Sequence, residues 1–234
     1  MNTGTLGEIT NERMKKLMPS YASRNFKRKT IDAKRLARDY EDLLIIRGNK
    51  GRTALDHLTR SGVVLLAGAW ETYIEDVILE GAVHLAVIDD PKNLPKEVKK
   101  SINLYIRNHK EDSKPLSIAG DGWKKVFLDE VVEPTLKGLN SPKIENVDSL
   151  AMKLLGVANL SSNITEKRFI DEFITYRGHI AHRVRVKGDA YLNLDTFLDY
   201  IYAFEVTVSE VDNYLADYIK KFKKSRPWNK YKNN

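Results

Sequence analysis

The feature that most constrains the fold is a long helical segment, residues 53–88, whose middle is apolar on every side. A helix made of the run 63–69, VVLLAGA, has no polar face and must therefore be buried. The run is too short to span a bilayer, and Glu71, Glu75 and Asp76 follow it almost at once. A membrane span is excluded, so other helices of the chain must surround this one.

The remaining segments supply those helices. The predicted helices cover residues 30–48, 53–88, 95–110, 123–136, 146–156, 165–182 and 194–222. Gly62 and Gly68 lie inside the central helix, where a glycine either weakens the helix or permits close approach of a neighbour. Few segments alternate apolar and polar residues as a strand does. The sequence therefore predicts an all-α helical bundle with long central and C-terminal helices.

Several polar residues and glycines are expected to mark helix ends. Gly156 should end a helix that Asn146 or Asp148 caps, because glycine readily adopts the left-handed conformation at a helix C-terminus. Thr165 is expected to cap the helix that follows. These assignments rest on local chemistry alone.

The composition limits both chemistry and location. The chain contains no cysteine, which excludes structural disulfides and cysteine-based zinc sites. Apolar residues make up 42% and charged residues 30%, a balance typical of globular proteins. The first residues, MNTGTLGEITNERMKK, lack the apolar stretch of a secretory signal, so a cytoplasmic protein without a membrane partner is expected.

The positive charge is concentrated at the C-terminus. The net charge is +7, and the segment from Lys220 onward carries seven Lys and Arg residues and no acidic residue. Its interleaved aromatic residues, Phe222, Trp228 and Tyr231, are typical of a contact with single-stranded nucleic acid. The alternative, which we favour from composition, is a frayed and solubilising chain end.

A second cationic stretch, YRGHIAHRVRVKG at residues 176–188, ends the helix predicted before it. It gathers Arg177, His179, His182, Arg183 and Arg185 without an acidic residue among them. One interpretation is a solvated helix C-terminus, where the helix dipole stabilises cations by about 0.3–1 kcal/mol. The other is a site that binds an anion.

Three segments resemble the HEPN superfamily, and more narrowly its RiboL-PSP-HEPN group. They are the Arg-x4-His spacing of Arg177 and His182, the upstream segment LNSPKIENVDSLAMKLLG at 139–156, and the helix VVLLAGAWETYIEDV at 63–77. The resemblance covers about residues 55–220 and suggests a division into an N-terminal helical extension (1–50), a HEPN domain (51–222) and a basic tail (223–234).

The resemblance implies a helical bundle that forms a homodimer with a composite active site for cleaving RNA. HEPN nucleases of this kind need neither a metal nor a cofactor. Many are toxins or effectors of antiphage defence, which implies an antitoxin or another defence-system partner. Some relatives have lost activity, so the alternative is a noncatalytic HEPN module that binds RNA or a partner protein. A basic helical factor associated with DNA is a third reading.

Side-chain chemistry suggests how the motif would work. Histidine titrates near neutral pH, which suits His182 to acid–base catalysis, whereas the planar guanidinium of Arg177 suits a phosphate clamp. Positions five apart on a helix point about 140° apart, so the site is most simply completed by a second copy. The other predicted site residues, which orient the motif or contact RNA, are Glu71, His179, Arg183 and Arg185.

Each of these residues also has a simpler reading or a difficulty. Glu71 is either the first solvent-facing residue after the apolar run or a buried partner that orients Arg177. His179 and His182 are a poor metal pair, because no carboxylate is adjacent. Many HEPN motifs carry asparagine directly after the arginine, where this chain has Gly178, and this departure favours the noncatalytic alternative.

Overall fold

The structure, a computed structural model, describes residues 18–48, 52–139, 142–182, 192–223 and 225–231. In those ranges every regular element is helical and none is a strand, which confirms the all-α prediction. The helices are α1 (Tyr21–Lys29), α2 (Ile31–Ile46), α3 (Asp56–Ala86), α4 (Lys96–Asn108), α5 (Gly122–Lys125), α6 (Glu133–Lys137), α7 (Ile144–Leu155), α8 (Lys167–His182) and α9 (Leu194–Lys220). A π-helical stretch, Val126–Val132, joins α5 to α6.

Helix α3 is the central element, as its apolar run predicts. It packs against α1, α2, α7, α8 and α9. Val63, Leu66, Ala67 and Ala69 of the run are buried, but Val64 and Leu65 are 49% and 42% exposed, so the prediction that the run is buried on every side is wrong for this face. Trp70 and Tyr73 are buried at 0% and 1% exposure, and their polar atoms are paired. The Trp70 indole donates to the carbonyl of Pro142 at 2.8 Å, and the Tyr73 hydroxyl donates to that of Val208 at 3.1 Å.

The two glycines in α3 have different surroundings. A Cβ placed on Gly62 would lie 2.3 Å from the ring of Phe197, so the absent side chain lets α9 approach α3 closely. A Cβ on Gly68 would meet no atom within 4 Å. Close helix approach is therefore confirmed for Gly62, while Gly68 only lowers the helix propensity of an exposed position.

The predicted helix ends were right for glycine and wrong for the polar caps. Gly156 adopts a left-handed conformation, with φ of 76°, directly after α7. Asn146 and Asp148 lie inside α7 rather than before it, and Asp148 instead accepts hydrogen bonds from the backbone and hydroxyl of Ser161. Thr165 does not cap α8, because its backbone N–H and hydroxyl both bond the carboxylate of Glu210 on α9.

The C-terminal residues 225–231 are packed against the bundle, so the expectation of a frayed end is wrong there. Trp228 is 7% exposed, and its indole donates to the carbonyl of Asp212 at 3.0 Å. The Asn229 N–H donates to the carbonyl of Met18 at 3.0 Å, and the Tyr231 hydroxyl is hydrogen-bonded to Ser23. Arg226 pairs with Asp217, as does a nearby lysine, so part of the tail's charge is neutralised.

The division into extension, domain and tail stays a prediction. Helices α1 and α2 pack on α3, and the C-terminal residues bridge α1 and α9. Within the ranges described, no helix is long and apolar enough to cross a membrane.

Candidate functional site

Helix α8, which carries the cationic motif at its end, is held by a buried stripe. Ile170 and Phe173 are at 0% exposure and Ile174 is at 7%. The Phe173 ring packs edge-on against Phe204 and Tyr200 of α9, with centroids 4.8 and 5.0 Å away. These contacts set both the position and the rotation of α8.

Arg177 continues that buried stripe. It lies four residues after Phe173 and three after Ile174, the spacing that places side chains on one helix face. The side chain is half-buried, and among the described residues no hydrogen bond or ion pair engages its guanidinium. An arginine carries five N–H donors, so its donors remain available to a ligand.

His182 is the last residue of α8, and its side chain lies outside the described part of the structure. Its position in the helix falls on the same side as Thr175 and His179, about 140° from Arg177. Arg183 and Arg185 also lie outside the described residues. The roles proposed for these residues therefore rest on sequence.

The chain re-enters the described part at Leu192, close to the motif. The hydroxyl of Thr59 on α3 donates to the Leu192 carbonyl at 3.3 Å. The backbone of Leu192 also lies close enough to Tyr176 on α8 to act on its pKa, in the lowering direction. Leu192, the first described residue after the motif, thus lies beside α3 and α8.

Glu71 and His179 occupy different surroundings. Glu71 is half-buried on α3, and no hydrogen bond or ion pair joins it to Arg177 among the described residues. Burial, and next the adjacent charge of Glu71, raises the pKa of Glu75. His179 is exposed on α8. The structure therefore does not pair Glu71 with Arg177 within one copy.

A cleft of about 520 Å³ lies between the start of α3 and the end of α8 and is called here the α3–α8 cleft. The residues that line it are Ala54, Asp56, His57, Arg60, Ser61, Val64 and Ile180. Buried Asp56 lies 3.7 Å from the Arg60 guanidinium, measured from Oδ2 to Nη1. The lining thus contains one carboxylate and one guanidinium, which face each other, beside an imidazole and a hydroxyl.

A second cleft, of about 470 Å³, lies on the other side of α8, between α8 and α9. Its lining residues are Asp171, Glu172, Thr175, Tyr176, His179 and Tyr200. Asp171 accepts a hydrogen bond from the Ile144 N–H at 2.9 Å, which ties α7 to α8. The end of α8 thus separates a cleft that contains Arg60 and Asp56 from one whose charged lining residues, Asp171 and Glu172, are both acidic.

Tyr176 lies at the junction of the two clefts. Burial is the main cause that raises the pKa of Tyr176, and the negative charge of Asp56 adds to it. The charge of Arg60 acts in the opposite direction, so all three groups share one electrostatic environment. Among the described residues, no group of three or more acidic or histidine side chains is arranged to hold a metal ion.

Comparison with known families identifies the chain. The family model described as RiboL-PSP-HEPN matches residues 28–217. The chain belongs to the RiboL-PSP-HEPN family. Neither a comparison with curated proteins nor one with solved structures finds a match.

Residues of the segment 139–156 contact both α3 and α8 in this RiboL-PSP-HEPN chain. The Pro142 carbonyl accepts from Trp70 of α3, and the Ile144 N–H donates to Asp171 of α8. Asp148 then holds the turn that leads toward α8 through Ser161. The segment therefore positions the helix that carries the Arg-x4-His motif.

Sequence reasoning missed the polar start of α3 in this RiboL-PSP-HEPN protein. None of His57, Arg60 and Ser61 is among the site residues predicted from the sequence. Their spacing, i, i+3 and i+4 on a predicted helix, was visible in the sequence. That this helix face borders the end of α8 depends on tertiary packing.

Proposed function

We propose that this RiboL-PSP-HEPN protein is an endoribonuclease that cleaves RNA in the cytoplasm by metal-independent transesterification. The observation that carries the proposal is Arg177, half-buried at the end of α8, whose guanidinium makes no hydrogen bond or ion pair with the described residues. Membership of the family supports it, because the Arg-x4-His spacing of Arg177 and His182 is the motif associated with catalysis there.

In the proposed reaction the ribose 2′-hydroxyl attacks the adjacent phosphorus. A bond from phosphorus to the 2′ oxygen forms while the bond to the 5′ oxygen breaks. One histidine accepts the 2′-hydroxyl proton, and another donates a proton to the departing 5′ oxygen. Arg177 stabilises the extra negative charge on the nonbridging oxygens. The products are a 2′,3′-cyclic phosphate and a 5′-hydroxyl.

A homodimer would supply the two histidines and resolve the geometry of the motif. Arg177 and His182 project about 140° apart, so one α8 does not place both on one phosphate without a bend. Two copies that bring their α8 ends together would combine an arginine and a histidine from different chains. We include in the proposal a role as a toxin or antiphage effector, restrained by an antitoxin or defence partner.

The direct test replaces each motif residue in the full chain. Arg177→Ala and His182→Ala should each lower RNA cleavage at least about 100-fold. That is the usual loss on removing a group that stabilises transition-state charge, for Arg177, or a general acid or base, for His182. EDTA should leave the wild-type rate unchanged. Arg35→Ala and His109→Ala are matched controls on other surfaces and should cleave normally. Full activity in the purified His182→Ala protein would remove this residue from the mechanism.

Gly178 favours the alternative of a noncatalytic module, and the structure makes it testable. A Cβ on Gly178 would meet no atom within 4 Å, so Gly178→Asn should fold normally. For a nuclease, we expect this replacement to raise the cleavage rate, since it restores the polar residue common in HEPN motifs. RNA binding without cleavage by both proteins would establish the noncatalytic module instead.

A further inference from the structure

Besides buried Asp56, three polar side chains at the start of α3 line the α3–α8 cleft. His57, Arg60 and Ser61 stand at i, i+3 and i+4, so they occupy one face of one helical turn. All three line the cleft, and Ile180 of the motif helix forms part of the same lining. Arg177 is three residues before Ile180 on α8, the spacing that places side chains on one helix face.

Arg60 lies beside a carboxylate, but its guanidinium makes no close hydrogen bond with the described residues. Its side chain is 28% exposed, and its nearest described carboxylate, buried Asp56, is 3.7 Å away. Charge-assisted hydrogen bonds between nitrogen and oxygen are usually about 2.7–2.9 Å long, so this ion pair is a loose one. Asp56 has a further interaction besides Arg60. Arg60 therefore keeps donors for a ligand in the cleft.

The neighbours of Arg60 suit the same kind of ligand. The Nδ1 atom of His57 lies 3.1 Å from the carbonyl of Ala54, which can only accept, so Nδ1 carries the hydrogen. In the neutral ring Nε2 is then an acceptor, which suits the 2′-hydroxyl of a ribose. Ser61 adds an exposed hydroxyl. Val64, 49% exposed, and Ile180 provide an apolar wall against which a ribose or base can pack.

We propose that Arg60 and Ser61 bind a phosphate of the RNA strand adjacent to the phosphate that is cleaved, while His57 accepts a hydrogen bond from a ribose hydroxyl of the same strand. This inference rests on the proposed nuclease function and adds a positioning site to it. A phosphate in a chain fits better than a free phosphate ion, because the cleft of about 520 Å³ is far larger than the ion and has an apolar wall. Phosphate contacts of this kind set the register of a strand without reading its sequence.

The test measures binding of single-stranded RNA across a salt series, in full-length protein carrying His182→Ala so that the RNA stays intact. Adding Arg60→Ala should weaken binding about tenfold, the loss of one charged hydrogen bond. It should also reduce the slope of log affinity against log salt by about 0.7, the value for one phosphate contact to a single strand. Arg35→Ala is the control, since Arg35 is exposed on α2 and should change neither quantity.

Two further variants guard against a folding defect in Arg60→Ala. His57→Ala and Ser61→Ala do not disturb the pair with Asp56 and should each weaken RNA binding severalfold. Thermal unfolding of every variant reports whether the bundle is intact. A folded Arg60→Ala protein with unchanged affinity and salt slope would overturn the inference, even if the wild-type chain cleaves RNA.

A binding measurement with inorganic phosphate distinguishes a site for an RNA phosphate from a site for the free ion. We expect RNA, but not inorganic phosphate at the same concentration, to bind in a way that depends on Arg60. Arg60-dependent binding of inorganic phosphate without any for RNA would overturn the assignment to RNA. Wild-type protein that binds RNA through Arg60 yet never cleaves it would overturn the nuclease and leave this binding site standing.

Discussion

At the scale of single residues, Asp212 on α9 has the most unusual surroundings. It is fully buried, and its carboxylate accepts hydrogen bonds from the Ser20 hydroxyl and, at 3.3 Å, from the Ser20 N–H. Burial raises the pKa of Asp212 to about 7, although the bonds from Ser20 act to lower it. The folded protein therefore holds a proton on this group that the unfolded chain releases near pH 3.8.

A raised carboxyl pKa makes stability fall as pH rises, because between those two values the folded state binds more protons than the unfolded state. The free energy of unfolding of the wild type, relative to that of Asp212→Asn, should fall by roughly 2–3 kcal/mol from about pH 5 to about pH 8. Urea unfolding at several pH values measures this difference. A difference that stays constant with pH would contradict the assignment.

Asp217 is a matched control for that series. Hydrogen bonding to Lys230 is the main cause that lowers the pKa of Asp217 below its usual 3.8. The stability that Asp217 contributes is therefore lost only as the pH falls below about 3.8. Asp217→Asn should leave the slope of unfolding free energy against pH unchanged between about pH 5 and about pH 8. A slope change in this variant would show that the effect is not specific to Asp212.

His84 on α3 has the opposite linkage and must be kept in place during these measurements. Burial, and next the charge of Lys223, lowers the pKa of His84 to about 4. The folded state then binds fewer protons than the unfolded state between about pH 4 and pH 6.5, so this group makes stability rise with pH there. Comparing variants that share His84 cancels its contribution.

At the scale of elements, the two glycines of α3 provide a matched pair. Gly62→Ala should destabilise the protein by about 1–3 kcal/mol, the usual cost of overpacking, because the new methyl group would overlap the ring of Phe197. Gly68→Ala should stabilise it by about 0.5–1 kcal/mol, since the position is open and alanine favours the helix. Chemical unfolding measures both, and changes of equal sign would contradict the packing described.

At the scale of the whole molecule, the C-terminal residues act as a strap between α1 and α9. Trp228→Ala should lower the free energy of unfolding by about 3–5 kcal/mol, the typical cost of removing a buried tryptophan. Trp228→Phe keeps most of the packing but loses the hydrogen bond to Asp212, so its cost should be closer to about 1 kcal/mol. An unchanged stability in Trp228→Ala would mean that the strap is not bound in solution.

Assembly is the other property that belongs to this scale. If the nuclease site is shared between two copies, the molecular mass by light scattering should be about twice the chain mass of 26.8 kDa. At protein concentrations low enough for the dimer to dissociate, the cleavage rate should rise more steeply than in proportion to protein concentration. A fully active monomer would contradict the composite site. Arg177 and His182 would then have to act within one chain.

The sequence by itself determined the all-α class, the buried central helix and the glycine that ends α7, because each depends on local periodicity or on one residue's backbone freedom. It also supplied the Arg-x4-His motif and the family. Asp148 does not cap α7 because the helix begins earlier, at Ile144, and packing decided that it bonds Ser161 and that Thr165 bonds Glu210. Packing also decided that Arg177 lies on the inner stripe of α8.

The docked tail, the buried Asp212 and the α3–α8 cleft belong entirely to the tertiary structure. Each is formed by residues far apart in sequence, such as Ser20 with Asp212 or Arg60 with Ile180. The sequence shows where charged residues occur along the chain, whereas the burial and the direction of each side chain depend on how the helices pack. For that reason a tail that composition assigns to solvent is instead held against the bundle by Trp228.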